Sequence, residues 1–272
     1  MKKYLSISAF VILYLGIVYI LGNVTRNLWF KGWVPASFAN QNYILNVLIA
    51  FILVMLVYAL IFKLRKKSFI KTCNFSKLSL RDFVTVLVIG VLLGILTSCL
   101  CNTSFISKNV PSLEQYLYVQ LNGISSFAFF LIVIALIYAC EEMIFRGAVF
   151  NEVKSGVSLY KAIAISVAVY VIINAITEGV YVAMIACFGA LFYNLAYVYM
   201  RSLFASIVIQ ISSIYVIMTF IKTGIWQKLR NLDDIVLFII MAVILGVIVI
   251  IYHSLYCQFN KLNKEKQATI TA

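Results

Sequence analysis

Long apolar runs, separated by short polar and mostly basic stretches, set the pattern of this sequence. The runs lie at Tyr4–Leu21, Tyr43–Phe62, Phe83–Cys101, Ser125–Phe150, Ala162–Ile176, Val180–Met200, Leu203–Ile221 and Ile235–Cys257. A helix needs roughly 20 apolar residues to cross the hydrocarbon core. Each run is therefore read as one spanning helix. The apolar–polar alternation of a membrane barrel strand is absent. The fold class is an all-α polytopic membrane protein with about eight transmembrane helices. The first run follows Met1-Lys2-Lys3 and is not followed by a small-residue cleavage site, so it reads as an uncleaved first span.

Composition agrees with this pattern. The chain is 64% hydrophobic and 11% charged, which no soluble domain can solvate. Two prolines in 272 residues suit long helices. The net charge of +13 is read as topology rather than nucleic-acid binding. Lys2, Lys3, the cluster from Lys63 to Arg81, Lys154, Lys161, Arg201, Lys261, Lys264 and Lys266 fall on one side of the predicted topology. Arg26, Lys31, Lys108, Lys222, Lys228 and Arg230 fall on the other. The richer side is cytoplasmic by the positive-inside rule, which puts both termini in the cytoplasm of a multi-pass plasma-membrane protein. Trp29, Trp33 and Trp226 then lie in outer loops, where indole rings favour the interface. The basic loop 63–82 has two readings, binding to anionic lipid headgroups or a plain topology anchor. The anchor is preferred. The expected partition is 1–123 for the first three spans, 124–222 for a core of spans four to seven, and 223–272 for the last span and tail. The six cysteines show neither a CxxC pair nor metal-type spacing.

The informative positions are polar ones inside apolar runs. Glu141, Glu142 and Arg146 occupy a turn and a half of the fourth span. Insertion of an ionisable group at mid-helix costs about 2.5–3.5 kcal/mol. Glu142 and Arg146 are four residues apart, share a helix face and can pair. Glu141 is offset by about 100° and has no partner on that face. Such a pair of carboxylates separates two protonation behaviours, with Glu141 the candidate base. The alternative is that all three snorkel at the end of the span; burial is preferred. Measured from Lys154, Lys161 and Arg201 at about 1.5 Å per residue, Glu141 and Asn174 lie roughly 20 Å deep, Ser213 roughly 18 Å, Gln210 roughly 13 Å and Asn194 roughly 10 Å. Four consecutive spans thus bring polar side chains to similar depth, where they are expected to face one another. Taken singly, Asn174, Gln210 and Ser213 read as interhelical hydrogen bonders. Tyr170, Tyr193 and Tyr197 can extend such a network.

Glu141-Glu142-x-x-x-Arg146-Gly147 resembles the first motif of the CPBP family. That family comprises Rce-type CAAX-processing proteases, bacterial Abi proteins and bacteriocin-processing or self-immunity proteins. Phe188-Gly189 through Tyr197, then Arg201-Ser202-Leu203-Phe204-Ala205-Ser206-Ile207, is similar to the family's run into its last motif helix. The resemblance covers about Glu141 to Ile214 and implies a four-helix CPBP/Abi-like core. It also implies a glutamate that activates water for attack on a peptide bond, with histidines that position the water or bind zinc. Carried over, Glu141 or Glu142 is the base and Arg146 its structural partner. The chain departs at the other two motifs. Tyr170-Val171-Ile172-Ile173-Asn174 has asparagine where the family has histidine. Gln210-Ile211-Ser212-Ser213-Ile214 has glutamine for histidine and isoleucine for asparagine. His253 is the single histidine and lies in the last span.

Amides hydrogen-bond but do not titrate, and they are poor zinc ligands. The expectation is therefore a degenerate, non-catalytic member, a bacterial pseudoprotease, that binds or regulates a membrane-anchored or peptide partner. Membrane lipid is a further partner, nucleic acid is not, and no cofactor or metal is expected. The alternative is an active glutamate-dependent endopeptidase acting on a peptide or lipidated precursor. Transport is a second alternative, weakened by the lack of an internal repeat and of Gly/Pro-broken helix pairs.

Overall fold

The computed structural model describes residues 12, 16–17, 19–122, 126–177 and 179–271. Helix dominates, and no strand occurs among the described residues. Helix α1 is Tyr43–Leu64, the short α2 is Phe69–Cys73 and α3 is Leu80–Asn102. Helix α4, Phe127–Glu142, runs directly into a π-helical segment, Met143–Phe150, and a last α turn, Asn151–Lys154. Helices α5, Leu159–Thr177, α6, Val180–Met200, α7, Leu203–Thr223, and α8, Asp234–Thr271, follow.

Seven helices among the described residues are long and apolar enough to span a membrane. They correspond to the second through eighth runs of the sequence pattern. The first run, Tyr4–Leu21, lies largely outside the described residues. The protein is an all-α polytopic membrane protein. Its exposed apolar side chains make chemical sense only in lipid. Helix α8, for example, exposes Ile235, Phe238, Ile239, Val243, Val249 and Ile250.

The chain divides into two compact units, each made from two stretches: residues 1–75 with 110–191, and 76–109 with 192–272. In the first, α1 packs on α4, and α2 and α5 pack on the π segment. In the second, α3 packs on α7 and α8 around Val86, Ile89, Ala205, Ile209 and Ile248. Gly90 and Gly94 make the α3–α7 approach close. A Cβ on Gly90 would overlap Ser212 Oγ, and one on Gly94 the Ser213 carbonyl. Four-residue spacing of small residues lets backbones meet in this way.

Two indoles behave differently from the interfacial expectation. Trp29 is buried and donates Nε1–H to the Ala39 carbonyl at 3.1 Å. Trp226 is also buried. Both lie between spans, yet pack into protein. The side chain of Trp33 lies outside the described residues.

Candidate intramembrane site

The site begins where α4 changes its winding. Glu141 and Glu142 end the α-helical part, and Arg146 sits within the π segment. π-helical turns are rare and recur at functional positions, because i→i+5 winding re-aims side chains. Glu141 is 8% exposed, while Glu142 and Arg146 are fully buried. Burial, not snorkelling, describes all three.

The predicted pair forms. Arg146 Nη1 donates to Glu142 Oε1 at 2.7 Å. Its Nη2 donates to the Ala190 carbonyl on α6 at 3.4 Å. The guanidinium carbon lies 4.9 Å from the centre of the Tyr170 ring and 5.9 Å from that of Phe145. Phe145 and Tyr170 meet edge to face at 4.7 Å. Arg146 is thus held by a carboxylate, a carbonyl and an aromatic face, which together replace its hydration shell. Glu142 is its counter-ion. Glu141 is not isolated, as its spacing suggested; it too has an interaction partner.

Tyr170 is buried and completes the arginine's cage. Asn174 is half-buried and its amide donates to the Tyr170 carbonyl of its own helix at 2.9 Å. These five residues belong to the first unit. Asn194, Gln210 and Ser213 are buried in the second unit, and Asn194 and Gln210 have interaction partners there or elsewhere.

Asn151 and Glu152, which the sequence reading passed over, join Gly147 of the motif in building the C-terminal end of the site. Asn151 donates its amide to the Thr72 carbonyl at 2.8 Å, to Gly147 at 2.9 Å and to Arg146 at 3.2 Å. It thereby serves carbonyls of the π segment and ties α2 to it. Gly147 is where α2 comes closest, since a Cβ there would overlap Cys73 Sγ. Glu152 forms ion pairs with Arg65 and, at 3.4 Å, with Lys67. Only Gly147 carried a signal, as part of the motif. Asn151 and Glu152 read in sequence as an ordinary polar helix end.

Among the described residues no group of three His, Cys, Asp or Glu side chains converges on one point. The ring of His253 contacts Cys257 one turn along α8, at 3.7 Å. Asn174 and Gln210, at the motif positions, offer only amides, which ligate zinc poorly.

Comparison with known proteins adds one finding. Residues 123–216 match the family described as Type II CAAX prenyl endopeptidase Rce1-like. No curated protein and no solved structure matches the chain. The matched stretch, about a third of the chain, contains Glu141, Glu142, Arg146, Asn174, Gln210 and Ser213, so the similarity covers the candidate site.

Proposed function

We propose that this intramembrane protease-like protein is a degenerate family member that binds, rather than cuts, a membrane-anchored or peptide partner. One observation carries the reading: Glu142 is committed to Arg146 in a fully buried pair, while the two motif positions that supply histidine in the family hold Asn174 and Gln210. A catalytic unit that loses several members retains little rate. The buried polar scaffold can persist without chemistry, because amides continue to hydrogen-bond where imidazoles once did. We propose cytoplasmic termini on the segregation of Lys and Arg, and a bacterial plasma membrane on the family resemblance alone. Regulation of an envelope enzyme, peptide export or immunity are the roles such binding would serve.

The second reading is an active endopeptidase. Glu141 favours it, as a nearly buried carboxylate beside the Glu142–Arg146 pair that would take a proton from water as the water attacks a peptide carbonyl. Isolation from native membrane separates the two. A stoichiometric intact partner supports binding. A shortened partner whose cleavage stops in E141Q contradicts it.

A further inference from the structure

The end of α1 is closed by a complete Schellman turn with lysine where glycine is usual. The Lys67 amide donates to the Phe62 carbonyl at 2.9 Å, and the Lys66 amide to the Lys63 carbonyl at 3.0 Å. Lys66 is left-handed, with φ of 55°. Glycine would adopt this conformation at no steric cost, whereas a residue with a Cβ pays about 1–2 kcal/mol. Phe62 and Phe69 stack edge to face at 5.5 Å and hold α2 back against α1. The turn is therefore rigid, and it gathers three ammonium groups.

Those groups border a shallow, open pocket of about 490 Å³ lined by Ala59, Lys63, Lys66, Lys67, Ser68, Phe69 and Ile70. Lys67 shares Glu152 with Arg65. Lys63 and Lys66 make no ion pair among the described residues. Ser68 Oγ accepts from the Lys71 amide at 3.3 Å, and its O–H can donate into the cavity. Ala59, Phe69 and Ile70 add apolar lining to these polar groups. Along α1 from Lys63, the side chains of Leu60, Leu56 and Ile52 are all exposed. Lys63 to Ile52 is roughly 16 Å of helix. That is about half of the roughly 30 Å hydrocarbon core, one leaflet's share.

A cationic cavity at the end of a spanning helix, continuous with an exposed apolar track one leaflet long, has the chemistry of a phospholipid. We propose that the Lys63–Ile70 turn is a binding site for a phosphate-bearing anionic lipid, its headgroup between Lys63, Lys66 and Ser68 and an acyl chain along Leu60, Leu56 and Ile52. This site does not depend on whether the protein cuts or only binds peptide.

The test is native mass spectrometry of the full chain released from nanodiscs of mixed phosphatidylglycerol and phosphatidylcholine. The K63Q/K66N variant removes two charges while asparagine tolerates the left-handed position. The K77Q/R81Q variant removes two charges from the same loop outside the cavity. Wild type and K77Q/R81Q are expected to retain one phosphatidylglycerol in preference to phosphatidylcholine, and K63Q/K66N to lose it by about tenfold or more. A matching elution profile for the three proteins keeps the comparison one of folded chains. Equal retention of both lipids, unchanged retention in K63Q/K66N, or an equal loss in K77Q/R81Q overturns the site. Full displacement by glycerol phosphate at equal concentration overturns the lipid assignment in favour of a free phosphate ester.

Discussion

At the scale of single residues, the buried Glu142–Arg146 pair dominates. Removing one member leaves the other charged and without its counter-ion in a water-free interior, which costs about 3–5 kcal/mol. R146A and E142Q are each expected to lower stability in detergent by that order, read as a fall in the unfolding midpoint. E142Q/R146M, which removes both charges, should recover a large part of the loss. Gly147 makes a second residue-scale prediction. G147A is expected to cost about 1–3 kcal/mol by overpacking against Cys73. G147A/C73A should recover part of it, because the sulfur is the nearest atom. Cys73 itself lies outside the spanning helices, and burial pushes its thiol up to about 12 from 9.0. The folded protein therefore holds this proton while the unfolded chain releases it. That contribution to stability is intact below pH 9 and falls as pH rises from about 9 toward 12. Alkylation of Cys73 at pH 8 should accordingly require unfolding, a point that mass spectrometry of labelled peptides decides.

At the scale of elements, the helices were legible and their winding was not. Apolar length alone located seven of the expected spans, because the demand for about 20 residues is imposed by the bilayer and not by packing detail. The i,i+4 spacing of Glu142 and Arg146 located their pair for the same reason, a fixed helical geometry. The switch to π winding at Met143 left no mark in the sequence. It is supported by Asn151, the residue that follows it, and through Asn151 by Thr72 far along the chain. Gly90-Val91-Leu92-Leu93-Gly94 did carry a signal, since small residues four apart mark a close helix contact. Its consequence is testable: G90L or G94L should force α3 from α7 and give an aggregated or strongly destabilised protein, whereas L92A, on a half-buried position of the same helix, should cost far less. Elution profile and unfolding midpoint report both.

At the scale of the whole molecule, the sequence pointed to a membrane protein with a protease-like segment, and both hold. The polar positions of that segment were found by their expense in lipid, a property of single residues that needs no fold. Their supporting partners were not found, because Glu152, Asn151 and Cys73 look ordinary until the loop from α1 to α2 is brought against the π segment. The proposed function rests on the caged Glu142–Arg146 pair and on the amides Asn174 and Gln210, which stand where the resemblance to the family would put histidine. The most direct test is a cleavage assay of the purified full chain in lipid, with membrane-anchored and precursor peptides followed by intact mass. The expected result is unchanged peptide mass with wild type and with E141Q alike, and peptide retained by both. A product formed by wild type and abolished in E141Q would contradict the account.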